Sequence, residues 1–253
     1  MLTLDRIHFS ITEKKILHGI SAQFEACKIH GIIGPNGSGK STLLKNICRI
    51  WEPQSGTVFI NDQDYKLISR KDLSKIITLV PQNTNLSFPI SVYDLVSMGR
   101  HPHLGRFQAL TKKDRDVVEK ALTITHTYEL KDRNINELSG GEGQLTIIAR
   151  ALVTEASLLL FDEPTSDLDI KHALTIMELL DDLKEQRKTI LVAIHDLNLA
   201  KRYCDTISII HQGKFFFIGS PKEAFTEEKI SKVFGVNVME IGTDSKSFLY
   251  FYQ

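Results

Sequence analysis

The stretch Gly31-Ile32-Ile33-Gly34-Pro35-Asn36-Gly37-Ser38-Gly39-Lys40-Ser41-Thr42-Leu43-Leu44 decides the fold. Residues 34–41 satisfy G-x-x-x-x-G-K-[ST] without a gap. Gly31-Ile32-Ile33 reads as a short apolar strand running into the turn. Ser41 to Ile50 reads as a helix with Leu43, Leu44, Ile47 and Cys48 on one face. A strand entering a glycine-rich turn that opens a helix is the context in which this pattern holds phosphate. The glycines let backbone N–H groups curl around an anion, and the helix N-terminus adds about half a positive charge. Lys40 can then reach β- and γ-phosphates, and Ser41 can ligate Mg²⁺. Taken alone, the pattern indicates a nucleotide and nothing narrower.

Outward from this loop the chain alternates. Leu2, Leu4, Ile7 and Phe9 form a rough strand, and Ile16 to Phe24 gives another. Residues 56–60 and 76–80 are further strands. From Pro89 to about Leu152 the pattern turns helical, and Thr111 with Asp114 fits a capping box opening a helix through Leu122. Leu158–Asp162 and Thr189–His195 are apolar runs ending in charged chemistry, as buried parallel strands with functional carboxyl ends do. Residues 207–210 and 215–218 flank a turn and read as a hairpin. Lys229–Phe234 reads as an amphipathic helix and Phe248–Tyr252 as a last strand. The expected organisation is one α/β domain. Its mixed-sheet core spans residues 1–88 and 156–253, with an antiparallel β region at the N-terminus and a helical subdomain inserted over about 89–155.

Asp162 and Glu163 close the run Leu158-Leu159-Leu160-Phe161. Asp162 is suited to hold Mg²⁺, directly or through water. Glu163, by strand alternation, is expected on the other face, where it can act as general base towards an attacking water. His195 ends another core strand at the same sheet edge and is expected to contact a γ-phosphate. Leu138-Ser139-Gly140-Gly141-Glu142-Gly143-Gln144 precedes the helical run Leu145 to Leu152. Ser-Gly-Gly at a helix start is a second anion site, built from a hydroxyl, backbone N–H groups and the dipole. Two phosphate-binding helix ends in one chain suggest two chains sharing each nucleotide.

Composition narrows the alternatives. The 253 residues are 42% hydrophobic and 25% charged, with 31 basic and 31 acidic side chains. That zero balance, without a basic stripe, argues against nucleic acid as a partner. Cys27, Cys48 and Cys204 are far apart and read as free thiols in a reducing compartment. Neither a signal peptide nor a run of ~18 apolar residues is expected, so membrane association must come through a partner.

These elements, in this order, resemble the ATP-binding subunits of ABC transporters over nearly the whole chain: the phosphate loop at 34–42, a Q-loop glutamine at Gln82, the signature at 138–144, the carboxylate strand at 158–163, a D-loop at 166–169 and a switch histidine at His195. The resemblance implies a P-loop NTPase core with ATP and Mg²⁺ as cofactors. It implies ATP contacts from Ile11, Gly34, Pro35, Asn36, Gly37, Ser38, Gly39, Lys40, Ser41, Thr42, Gln82, Ser139, Gly140, Gly141, Glu142, Gln144 and Asp169. Glu163 and His195 are then catalytic, and Ser41, Gln82 and Asp162 hold the metal. Each ATP lies between the phosphate loop of one subunit and Ser139-Gly140-Gly141 of a second copy in a head-to-tail dimer. The dimer sits on the cytoplasmic face of the membrane against an integral-membrane permease, fed by a substrate-binding protein, and Gln82 links the metal site to the permease-facing helices. Val96–His103 and Ile194–Ala200 are similar to the subgroup importing ferric siderophores, haem and cobalamin. Siderophore-type iron chelates are the expected substrate class, with haem or cobalamin import, or a soluble non-transport ATPase, as alternatives. Two positions depart from the family pattern. Ile11 stands where an adenine-stacking aromatic is usual, and Leu145 where a basic residue often follows the signature.

Overall fold

The structure is a computed structural model that describes residues 1–82, 89–243 and 247–252. Its centre is a six-stranded sheet in the order β10-β9-β3-β8-β7-β6. The strands are β3 (Ile29–Ile33), β6 (Ile77–Val80), β7 (Leu158–Asp162), β8 (Thr189–Ala193), β9 (Thr206–His211) and β10 (Lys214–Gly219). All neighbours pair in parallel except the β9–β10 hairpin, which is antiparallel as its sequence suggests.

Every residue of β3, β7 and the last four of β8 is buried, so both faces of the sheet are covered. Alternate residues feed two cores. Leu159, Phe161, Ile190 and Val192 pack on one side with helices α5 (Gly140–Leu152) and α6 (Ile170–Glu185). Leu160, Leu191 and Ala193 pack on the other with helix α1 (Lys40–Ile47). The second core is closed by a four-stranded antiparallel sheet, β2-β1-β4-β5, made of β1 (Leu2–Ile11), β2 (Lys14–Phe24), β4 (Ser55–Ile60) and β5 (Gln63–Asp64). Leu2, Leu4 and Ile7 of β1 point into it.

A short helix, α2 (Arg70–Leu73), precedes β6, and from residue 89 to β7 the chain is mainly helical. Helix α3 (Val92–Ser97) runs into a 3₁₀ turn over Met98–His103, and α4 (Lys112–Ile124) and α5 follow. Val92, Val96, Val118, Leu122 and Ala149 give these helices a hydrophobic cluster of their own. The Thr111–Asp114 capping box is present as expected. The core boundary expected at Phe88 lies outside the described residues.

Some elements differ from expectation. Helix α1 stops at Ile47 rather than Ile50, because Arg49 takes a left-handed backbone (φ 57°). Helix α6, of 16 residues, and strand β11 (Asn237–Ile241) are not foreseen. Strand β11 pairs antiparallel with β12 (Phe248–Tyr252), and Asn198 at the start of α7 (Leu197–Tyr203) clamps that hairpin. The Leu249 N–H donates to Asn198 Oδ1 at 2.6 Å, and Asn198 Nδ2 donates to the Leu249 carbonyl at 3.2 Å.

Candidate nucleotide-binding site

The loop between β3 and α1 rests on the carboxyl edge of the central sheet. Gly34 has φ 156°, and a Cβ there would lie 2.2 Å from the Ile210 carbonyl oxygen, so only glycine lets the loop sit this low. Residues 36–42 line a cleft of ≈ 220 Å³ together with Lys14, Ile16 and Glu163. Ser38 Oγ is buried there without a hydrogen-bond partner among the described residues, an orphan that an incoming phosphate oxygen would satisfy. Lys40 is 4% exposed, and its Nζ donates to the Gly34 carbonyl at 2.9 Å while lying 3.6 Å from Glu163 Oε1. Burial lowers the Lys40 pKa, and Glu163 partly opposes that by stabilising the cation.

Ser41 Oγ donates to Asp162 Oδ1 at 2.8 Å. Burial raises the Asp162 pKa, against the Ser41 hydrogen bond, and the adjacent Glu163 adds to the rise. A hydroxyl and a carboxylate converging at the loop's edge are the hard oxygen donors Mg²⁺ takes, one or two protein ligands being enough beside phosphate and water.

Glu163 is where strand alternation fails. It is expected on the face opposite Asp162, yet both carboxylates reach the same cradle, Asp162 at Ser41 and Glu163 at Lys40. The reason is backbone handedness. Glu163 has φ 53°, so the chain turns out of the strand at that residue. A non-glycine residue in this region costs about 1–3 kcal/mol and recurs where function demands it. The turn also sets Glu163 Oε1 2.6 Å from His195 Nε2.

Among the described residues Gln82 makes no hydrogen bond to Ser41 or Asp162. Its Nε2 donates to Ser166 Oγ at 3.4 Å, and Ser166 Oγ donates to the Glu163 carbonyl at 2.9 Å. Gln82 is thus tied to the end of β7 through Ser166, the first residue of the D-loop stretch, to which the sequence assigned no contact of its own. Asp169 caps α6, accepting the His172 N–H at 2.9 Å.

Ser139, Gly140, Gly141, Glu142 and Gln144 are not among the residues lining the cleft. Ser139 and Glu142 instead close a capping box at the start of α5: Ser139 N–H and Oγ donate to Glu142 Oε2 at 2.8 and 2.7 Å. Those bonds lower the Glu142 pKa, the backbone one most. Gln144 Nε2 is buried and has no hydrogen-bond partner among the described residues. Ile11 also lies outside the cleft. It is 45% exposed at the end of β1, while Lys14 and Ile16 of β2 form the wall.

A mostly parallel sheet with a phosphate loop at its carboxyl edge and a helical unit inserted before the carboxylate strand makes this an α/β ATPase cassette. Residues 17–166 match the family model described as "ABC transporter", and the chain belongs to that family. It is similar to the iron(3+)-hydroxamate import ATP-binding protein FhuC of Bacillus subtilis, at 37% identity over 97% of this chain and 91% of the relative. It is also similar to the ferric enterobactin transport ATP-binding protein FepC of Escherichia coli, at 36% identity over 95% and 87%. Identity to the cobalamin import ATP-binding protein BtuD of Halobacterium salinarum is 37% over 96% of this chain, which spans 61% of that relative's length. A chain of a metal-chelate type ABC transporter in an inward-facing conformation superposes with TM-score 0.86 at 28% identity, covering 99% of this chain and 96% of that one. The dimeric cassette MJ0796 gives 0.77 at 28% identity, over 87% and 99%. Among the described residues, no helix is long and apolar enough to cross a membrane.

Proposed function

We propose that the chain is the ATP-hydrolysing subunit of an importer for siderophore-type iron chelates, working as a head-to-tail dimer beneath a membrane permease. The observation that carries it is the separation of the two anion sites. One chain offers the cleft of Lys40, Ser41 and Glu163, while the start of α5 lines no part of it. A second copy is then needed to bring Ser139, Gly140, Gly141 and Gln144 onto the γ-phosphate. In this reading the core (1–88 and 156–253) holds the nucleotide, and the helical subdomain (about 89–155) presents the signature to the partner copy. The place of the complex is the cytoplasmic face of the membrane, with a substrate-binding protein supplying the chelate.

Within the composite site, residues 34–42 and Lys40 bind the β- and γ-phosphates, and Gln82, Asp169 and Ile11 border the nucleotide. Ser41 and Asp162, with Gln82 nearby, would hold Mg²⁺, which when bound neutralises charge on the phosphate oxygens. Glu163 accepts the proton of the attacking water as its oxygen bonds to the γ-phosphorus and the β–γ bridging bond breaks. His195, 2.6 Å from Glu163, fixes that carboxylate and is placed to touch the γ-phosphate.

Glu163→Gln keeps shape and removes the base. Hydrolysis should fall by ~10² or more while ATP stays bound and traps a dimer, read by single-turnover kinetics and light scattering. Near wild-type turnover would overturn the catalytic assignment. The substrate class is tested by deleting the gene and measuring uptake of labelled ferric siderophores, haem and cobalamin. Loss of ferric-siderophore uptake that Lys40→Ala fails to restore supports the proposal. Cobalamin is the second reading, because the BtuD relative is as similar in sequence as FhuC.

A further inference from the structure

Gly140, Gly141 and Gly143 open α5, and the surrounding chain treats them differently. A Cβ on Gly143 would meet nothing within 4 Å, and one on Gly140 would come no nearer than 3.7 Å, an ordinary contact with Leu168 Cδ2. A Cβ on Gly141 would lie 2.2 Å from His172 Cδ2 and 2.3 Å from its Cγ. None of these glycines has a left-handed backbone, so handedness does not call for them. Glycine inside a helix is unfavourable relative to alanine, and its place at 141 therefore asks for a local cause. Within one chain that cause is the imidazole of His172, which fills the space a side chain would take.

His172 stands in the first turn of α6 and is held at two points. Its backbone N–H donates to Asp169 Oδ1 at 2.9 Å, and its Nδ1–H donates to Asp169 Oδ2 at 2.8 Å. These bonds, the backbone one first, keep the Asp169 carboxyl below the ordinary carboxylate range. The ring can leave Gly141 only by giving up its bond to Asp169. Asp169 itself ends a stretch that starts at Ser166, bonded to the Glu163 carbonyl at 2.9 Å, and turns at Asp167 through a left-handed backbone (φ 61°). The D-loop and the start of α5 therefore meet through one side chain, and the motifs leave that side chain unassigned.

We infer that His172 is a positioning residue for the signature: its imidazole, fixed by Asp169, packs on Gly141 and sets where Ser139, Gly140 and Gly141 stand relative to the D-loop. The inference rests on the shared-site reading above and deepens it. In that reading the signature must meet a γ-phosphate held by the second copy, and small misplacements of a phosphate-binding group cost much of the rate. Gly141 is then glycine because it admits the imidazole.

The test is a double-mutant cycle on the intact chain, read as ATP hydrolysis over a protein dilution series. Gly141→Ala should lower turnover by about 10²-fold, the scale of a misplacement of an ångström. Adding His172→Ala removes the obstructing ring and should restore turnover by about tenfold or more. His172→Ala alone should raise the protein concentration that gives half-maximal activity by about tenfold, while turnover at saturation falls less than about threefold. His172→Asn keeps Cγ and an amide nitrogen for Asp169, so it should follow the wild-type dilution curve yet fail to rescue Gly141→Ala. Should Gly141→Ala not fold, the dilution curves of wild type, His172→Asn and His172→Ala decide. If Gly141→Ala is as impaired with His172→Ala as without it, the ligand and not the ring demands glycine, and the inference is wrong while the shared site stands. It is also wrong if His172→Ala gives the wild-type curve. Wild-type hydrolysis by Ser139→Arg overturns the shared site and the inference with it.

Discussion

At Asp162 the fold accepts an unfavourable charge. The side chain is 4% exposed, and burial holds its pKa above the ordinary carboxylate range despite the Ser41 hydrogen bond. The folded chain therefore binds this proton more tightly than the unfolded one. Stability from this group is greatest at low pH and falls as pH rises through the interval between the ordinary 3.8 and the raised value. Asp162→Asn should consequently raise the melting temperature of the nucleotide-free chain at neutral pH, by about 2–4 °C for each kcal/mol recovered, while abolishing hydrolysis. Calorimetry across pH checks it: the gain should vanish as pH falls below about 4. A variant less stable than wild type at neutral pH would mean that the Ser41 contact outweighs desolvation. The place of Asp162 at the end of a buried strand was legible from the four apolar residues before it. The direction of Glu163 was not, because period-two alternation assumes an extended backbone and Glu163 leaves it at φ 53°.

At the scale of elements, the helical unit hangs on Arg100. This guanidinium joins the 3₁₀ turn, the first turn of α4 through Asp114, and the chain after α5 through Val153 and Glu155. Thr111, through its hydroxyl and backbone N–H, is the main cause of the low Asp114 pKa, about 2, with Arg100 adding to it. A depressed carboxylate contributes stability that is present above its ordinary pKa and lost as pH falls towards the depressed one. Arg100→Met leaves two acids without their partner and should cost about 3–5 kcal/mol in urea unfolding. It should also move acid unfolding to higher pH, because Asp114 then protonates earlier. The capping box at Thr111 could be read from four residues. Arg100 could not, since its partners lie 14 and 55 residues away and only packing unites them.

For the whole molecule, shared sites predict complementation. Lys40→Ala disables the phosphate loop and Ser139→Arg the signature, so each variant alone should be inactive. In a heterodimer of the two, one site combines both lesions and the other combines neither. Mixed preparations should regain hydrolysis, and the specific activity of the wild type should rise with protein concentration. Activity that stays flat over a wide dilution series in a protein that remains monomeric by light scattering would contradict sharing.

What the sequence determined by itself is local. The phosphate loop, the cap at Thr111, the β9–β10 hairpin and the buried strands all depend on residues within one or two turns of each other. Helix α6 was within reach by the same means, since Asp169 caps it and Ile176, Met177, Leu180 and Leu183 form its buried stripe. Tertiary structure alone decided the rest. It set Glu163 against both Lys40 and His195, drew Gln82 to Ser166, gave Lys14 and Ile16 to the cleft instead of Ile11, and joined Arg100 to Asp114 and Glu155. The physical reason is the same in each case. Spacing fixes dihedrals and faces within an element, whereas charge pairing and burial depend on which elements the closed core brings within about 4 Å.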